Sequence, residues 1–343
     1  MTFAAGATSK LQLWAWLLAA LFLRHTPTTM VDCKPQRDVL ALFDVARQNQ
    51  TYVRICAPMV RYSRLAFRTT VRRYGVDLAY TQMIVADSFN RSQRAREADF
   101  HTSVSDRPLV AQFAASDGVQ LAQAATLMAP YADAFCLNCG CPQKWAIQDG
   151  IGCYLTKNPE TMCDIVKHAR VAVPNHPISV KIRIHEDDAS TVEMVRRAER
   201  IGAAWISVHG RTPKERHHPV HYDTLALIKS VVSVPVVANG DVFSLEDAES
   251  VYARTGCDGI MAARGLLKNP GLFAGHVQTD ASVVETFLKD ALVTGLHPGL
   301  VHHHINFMLE GLLGRAGRSR RAMGVAVRCR ELLLCRMLTT AVR

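Results

Sequence analysis

The chain of 343 residues has no apolar run as long as the roughly 20 residues a membrane-spanning helix needs. Its clearest apolar stretch, Leu11–Leu23, has 13 residues and follows Lys10. The stretch resembles the apolar part of a signal peptide, yet no small-x-small cleavage pattern comes after it. Met30 then opens ordinary soluble-protein sequence. Residues 1–30 are therefore expected to be a leader or an alternative start outside the fold, and residues 1–29 dispensable for it. A disulfide framework is missing too. The ten cysteines are spread over a long chain, and Cys56 and Cys136 sit inside runs that read as buried strands. Free thiols fit a reducing compartment, so a cytoplasmic location is expected. The middle of the chain has no disordered stretch: 49% of residues are apolar and 20% charged. Acidic residues are the scarcer sign, 30 against 40 basic ones, and the formal charge of +10 favours a polyanionic partner. No GxGxxG follows the first apolar strand, so a dinucleotide-binding fingerprint is absent.

What is there is a rhythm. From Tyr52 onward, short β-branched or small-residue runs alternate with amphipathic stretches. The runs are Tyr52–Pro58, Leu78–Ile84, Pro108–Ala115, Ala134–Gly140, Ile178–Ile184, Ala204–Gly210, Pro235–Asp241 and Gly259–Gly265. Each reads as a buried parallel strand. Between the last two, Ser244 and Asp247 form a capping-box signature and Gly256 ends the helix. Another amphipathic helix runs around Val192, Val195 and Ala198. Eight such units predict an α/β chain folded as a TIM (β/α)8 barrel over residues 50–278, in preference to an open doubly wound sheet. Leu300–Leu313 reads as one helix. A small helical appendage is expected over residues 280–343, with poorly patterned basic sequence after about residue 313.

In such a barrel, chemistry lies at the C-terminal strand ends. Gln112 lies in the third strand, Asn138–Cys141 end the fourth, and Lys181 and Arg183 alternate along the fifth. A charge such as Lys181 in a central apolar run is costly unless an anion or an electron-rich ring offsets it; pairing with a neighbouring carboxylate is the other reading. His209 ends the sixth strand and is followed by Gly210 and Arg211. Asn239-Gly240-Asp241 and Ala263-Arg264-Gly265 end the seventh and eighth, the place where barrels bind phosphate. Cys136, Cys139 and Cys141 with Cys153 have some look of a metal set. Strand alternation argues against convergence of the three clustered thiols. Cys136 is expected in packing and Cys139 in the turn, while Gly140 and Pro142 present Cys141 at the barrel mouth.

With Asn138-Cys139-Gly140-Cys141-Pro142-Gln143 in view, the chain resembles the tRNA-dihydrouridine synthases, most closely the eukaryotic 20a/20b branch. The matching pieces run from Ala57-Pro58-Met59 through Gln112, Lys181-Ile182-Arg183 and His209–Arg216 to the ANGD and AARG turns, over roughly Tyr52 to Leu313. The resemblance implies an FMN-bearing barrel with a helical domain that uses NADPH to reduce the C5=C6 bond of uridine in tRNA. It implies that Pro58, Met59, Val60, Gln112, Lys181, His209, Asn239, Gly240, Asp241, Ala263 and Arg264 hold FMN. Asn138, Arg183 and Arg211 would contact substrate, and Cys141 would be the proton donor, with no metal. Two segments depart from the family pattern: the one before Met30 and the one after about Leu313. Arg61, Arg64, Arg68, Arg72 and Arg73 are a candidate RNA surface, since Arg64, Arg68 and Arg72 recur every four residues on one helix face; a solvated face is the plainer reading. Two other functions compete: an FMN barrel reducing a small pyrimidine or enone, and a non-catalytic tRNA-binding relative.

Overall fold

The computed structural model describes residues 36–313. The expected leader and the chain after Leu313 lie outside these residues. Nine parallel strands form one sheet: β1 Val53–Cys56, β2 Leu78–Tyr80, β3 Ile84–Val85, β4 Leu109–Ala114, β5 Ala134–Cys139, β6 Ile178–Arg183, β7 Ile206–His209, β8 Val236–Asn239 and β9 Gly259–Ala262. The order is β2-β1-β9-β8-β7-β6-β5-β4-β3, and pairing of β2 with β4 closes it into a barrel. Helices lie between successive strands, so the (β/α)8 expectation holds, with β2 and β3 as two pieces of one of the eight expected strands.

That split corrects the reading of Leu78–Ile84 as one continuous strand. At the break the Thr81 hydroxyl accepts the backbone N–H of Gln112 at 3.0 Å. The Gln82 side chain is turned away to Arg61 and Asp99. Side-chain bonds thus interrupt the regular ladder, as at a bulge beside a functional site.

The barrel interior below the mouth is packed by Val53, Ile55, Tyr80, Val110, Cys136, Trp205 and Met261. The Trp205 indole donates to the Tyr80 hydroxyl at 2.8 Å, which satisfies the polar tips of both buried rings. A helix that the strand rhythm did not reveal, Leu40–Gln48, precedes β1. Its Phe43 lies 5.9 Å from Trp205, ring to ring, and caps this interior. The larger core lies between the barrel wall and the outer helices.

The caps read from the sequence are present. Ser244 and Asp247 make a reciprocal capping box on the helix Leu245–Thr255, and Gly256 ends it in the left-handed conformation at φ 62°. After the barrel come two helices, Ala281–Val293 and Pro298–Leu313. Asp290 of the first receives a hydrogen bond from Thr70 and pairs with Arg73, both on the helix Leu65–Arg73. His304 of the second is fully buried against Phe67 and Phe287, each 4.8 Å away between ring centres.

The helix Leu65–Arg73 also corrects the arginine-row reading. Arg68 is 2% exposed, and its guanidinium grips Asp106 at 2.6 and 3.0 Å. Arg72 holds the same carboxylate at 3.2 Å and the Pro108 carbonyl at 2.5 Å. Arg64 just before the helix donates to the Ala98 carbonyl. The spacing of four does put these side chains on one face, but the face is turned inward, where Asp106 supplies the compensating charge.

Candidate active site

The C-terminal end of β5 is built around Asn138. Its side-chain carbonyl accepts the backbone N–H groups of Gly140 at 3.1 Å and Cys141 at 3.0 Å. Its amide donates to Gln112 on β4 at 2.9 Å. Gln112 in turn points its own amide at the Cys136 sulfur, 3.4 Å away. Asn138 therefore folds the turn that carries Cys141 and ties it to the neighbouring strand. The turn is closed from the other side as well: the Cys141 carbonyl accepts the Cys153 N–H at 2.9 Å. Gly152 permits this approach. Its φ is +65°, and a Cβ there would lie 2.6 Å from the Cys141 carbonyl oxygen.

The three clustered thiols have separate surroundings. Cys136 packs inside the barrel and Cys139 in the outer core between wall and helices, both fully buried. Cys139 is the last residue of β5, so the expectation that it sits in the turn is corrected: strand alternation carries it outward into packing. Cys141 alone is partly exposed, beside Met83, Ala114, Ala146 and Ile151. Burial pushes the Cys136 thiol up to about 11 and raises that of Cys139 well above its ordinary value. Neither is then a ready thiolate ligand.

The cationic side of the mouth comes from β6 to β9. Lys181 on β6 donates to the Asn239 side-chain carbonyl on β8 at 2.9 Å, and forms no ion pair among the described residues. Burial, then the nearby Arg183 charge, lowers its pKa to about 8. Arg183 bridges two carbonyls, Gly140 at 3.0 Å and Thr212 at 3.1 Å, and so fastens the Cys141 turn to the loop after β7. His209 is driven down to about 2 by burial and by Lys181, Arg183, Arg211 and Arg264, and is neutral. A cavity of about 250 Å³ opens among Pro142, Arg183, His209, Arg211, Arg216 and Arg264.

The ANGD turn supplies the matching acid. Gly240 has φ +141° and Asp241 φ +48°. The Asp241 carboxylate receives both terminal nitrogens of Arg211 and is 3.3 Å from Arg264. Arg211 lines the cavity with its guanidinium already engaged by Asp241 and by the His218 carbonyl. Ala263 packs against the barrel interior just before Arg264, which opens a short helix. Next to β9, the loop after its paired strand β1 carries Pro58, Met59 and Val60. The Met59 N–H is fixed by Ser63 at 2.9 Å, and Val60 is 52% exposed. Next to it Arg61 has φ +73°, unusual for a residue with a side chain, held by a 3.0 Å bond from its N–H to Gln82. The structure thus gathers the expected residues at one barrel end. Sequence reasoning missed the roles of Gln82, Gly152 and Cys153, because their partners are distant along the chain. For Gly152 the closely spaced Gly150 and Gly152 were a usable signal of a tight approach.

The family model described as dihydrouridine synthase (Dus) matches residues 55–323. The chain belongs to the dihydrouridine synthase family. The match extends beyond Leu313, where the motif resemblance had been taken to stop. Among curated relatives, a Mus musculus protein named tRNA-dihydrouridine(20a/20b) synthase (NAD(P)+)-like is 47% identical over 291 residues, covering 84% of this chain and 88% of the relative. The Homo sapiens protein of that name is 49% identical over 265 residues, covering 77% and 84%. A Schizosaccharomyces pombe tRNA-dihydrouridine(20a/20b) synthase (NAD(P)+) is 42% identical over 275 residues, covering 80% and 84%. Membership of the dihydrouridine synthases makes the chain an oxidoreductase.

FMN, implied by the family resemblance, fits the residues present. The cavity sets Arg183, Arg211, Arg216 and Arg264 against one lining acid, Glu215, which is engaged by the Thr212 N–H and His221, while Asp241 pairs with Arg211 and Arg264. Lys181, a partly buried cation with no ion pair among the described residues, lies on β6 two residues before Arg183. An anionic group with an electron-rich ring would supply what these side chains lack. Among the described residues no cluster of ligands could hold a metal, and no helix is long and apolar enough to cross a membrane.

Proposed function

We propose that this protein reduces uridines of the tRNA D-loop to 5,6-dihydrouridine, with FMN in the barrel mouth and NADPH as the reductant. The observation that carries the reading is the separation of Cys141 from its neighbours: one partly exposed thiol on a turn pinned by Asn138, Arg183 and Cys153, beside a cation-lined cavity.

The bound flavin supplies the hydride for uracil C6. The remaining work falls to the chain. As C6 accepts hydride, charge builds at C5 and O4, and a proton must reach C5. Cys141 donates it; the thiol then regains a proton from solvent at the open mouth. As a general acid the thiol has to be protonated, so no strong activation is required of it. Asn138 keeps the turn in place and has an amide hydrogen left for a uracil carbonyl. Lys181, held by the Asn239 side chain, would offer its ammonium to an electron-rich part of the cofactor. Neutral His209 offers one ring N–H and one acceptor, and the Gly240–Asp241 turn with Arg264 takes the phosphate. Pro58, Met59, Val60 and Ala263 would shape the wall where β1 meets β9. The target base leaves its stack to enter. The free thiols among the described residues fit a reducing cytoplasm.

The test is a pair of variants in the FMN-loaded protein. Cys141→Ala keeps FMN and NADPH oxidation and loses uridine reduction by roughly 10²–10⁴-fold, the range for a general acid. Cys139→Ala loses stability by about 1 kcal/mol through a small cavity and keeps the chemistry. Equal catalytic losses in both variants, or a folded protein that takes up no FMN, would overturn the reading. Reduction of free uridine or an enone as fast as tRNA would transfer it to the small-molecule reductases.

A further inference from the structure

Four residues beyond Cys141 the chain exposes a tryptophan that the reaction above does not use. Trp145 is 41% exposed, whereas Trp205, the other tryptophan among the described residues, is fully buried. It lies on the one-turn helix Lys144–Gln148, which Pro142 and Gln143 join to the Cys141 turn. The helix is anchored by Ala146, fully buried beside Cys141, Ala114 and Ile151. Trp145 and Ile147, either side of that anchor, face outward at 41% exposure each. The indole N–H is taken by the Gln143 side-chain oxygen, so the ring offers its face and not its donor. Tyr154, 38% exposed, adds a second aromatic across Gly150, whose Cβ would lie 3.9 Å from the tyrosine ring. Lys144 and Lys157, just before Trp145 and three residues after Tyr154 in sequence, are exposed, as is Asp149.

Trp145 and Ile147 together leave apolar surface in water beside the Cys141 turn, and an apolar patch at the edge of a site is the kind of surface that takes a partner. Its distance from the chemistry suggests which partner. Four residues span at most about 14 Å. Stacked nucleotides rise about 3.4 Å each, so a base adjoining one seated at Cys141 lies within reach of Trp145. Extraction of the target uracil strips that adjoining base of a stacking partner. Single-stranded loops are commonly held by an aromatic face that replaces the lost stack. The patch is continuous with the site, because Pro142 lines the cavity, and the chain's charge of +10 suits a polyanion.

We propose that Trp145 is a stacking platform for the nucleobase next to the target uridine, an assignment that rests on the tRNA reading of the site. It makes Trp145 a substrate-positioning residue and not part of the proton or hydride path.

The experiment uses the full-length, FMN-loaded protein. tRNA affinity, single-turnover dihydrouridine formation and NADPH oxidation without tRNA are measured for wild type, Trp145→Ala and Trp145→Phe. Trp145→Ala should weaken tRNA binding by roughly 5- to 150-fold, the range for one stacked base. FMN content and NADPH oxidation should stay at wild-type values, and Trp145→Phe should recover most of the affinity. A tRNA with an abasic site beside the target uridine should show the same loss on wild type and little further loss on Trp145→Ala. tRNA should also quench wild-type tryptophan emission more than that of Trp145→Phe, a readout that needs no destabilised variant. Wild-type affinity in Trp145→Ala, multiplicative losses with the abasic tRNA, or equal quenching in wild type and Trp145→Phe would overturn the platform. Wild-type protein that carries FMN yet neither binds tRNA nor forms dihydrouridine would overturn the tRNA reading itself.

Discussion

Asp106 should be among the residues the fold can least lose. Its carboxylate is 1% exposed and receives Arg68 at 2.6 and 3.0 Å, Arg72 at 3.2 Å and the Thr102 hydroxyl at 3.3 Å. Burial already lowers the pKa of Arg72, with Asp106 acting against it. In Asp106→Ala both guanidinium groups stay buried with no counter-charge. Breaking one such pair costs about 3–5 kcal/mol, against a typical total of about 5–15 kcal/mol. With an m-value near 3 kcal/mol/M, the urea midpoint should fall by about 1–1.7 M. The double variant Asp106→Leu with Arg68→Met should be less destabilised than the two single changes added together, because it removes both the charge and its partner. The charge-removing Arg72→Gln should leave the salt dependence of tRNA binding unchanged, whereas loss of a phosphate contact would lower the slope by about one. A cost below about 1 kcal/mol for Asp106→Ala, or a slope reduced by Arg72→Gln at unchanged stability, would refute the inward placement of this arginine row.

Three further outcomes are expected. Lys181 should lose its proton near pH 8 in the free protein, so FMN affinity, flat below that pH, should fall up to tenfold per unit above it, as read by fluorescence titration; a flat profile to pH 10 would deny the lysine a charge role. Burial holds His304 at about 4, below its unfolded value near 6.5, against a weaker upward pull from the Tyr62 backbone. Its neutral form therefore stabilises the fold fully above pH 6.5, and up to about 3 kcal/mol is lost as pH falls from 6.5 to about 4; His304→Phe should abolish that part of the pH dependence in urea melts. Gly152→Ala should displace the Cys141 turn, since its Cβ would meet the Cys141 carbonyl, and should cut uridine reduction at least tenfold with FMN retained; unchanged turnover would show that the turn adapts.

Much of the architecture was legible because it depends on neighbours in sequence. Buried parallel strands need unbroken apolar runs, and Tyr52–Pro58 through Gly259–Gly265 supplied them; Ser244, Asp247 and Gly256 made a helix end that can be read from residue types alone. The polar residues at the strand ends were legible for the same reason, as position on a barrel strand places a side chain at the mouth. What the sequence could not decide was pairing across the fold. The Arg64–Arg68–Arg72 spacing shows a shared face, but only Asp106, brought from beyond the next helices, tells which way it faces. The outward turn of Cys139 depends on where β5 ends. The approach of Gly152 to Cys141, and of Gln82 to Arg61, are contacts between segments that periodicity treats separately. The sequence by itself determined the barrel and its mouth, and singled out the turn on which Cys141 is partly exposed. The tertiary structure alone decided which charges are spent holding that mouth together, because a charge's role is set by its nearest partner in space.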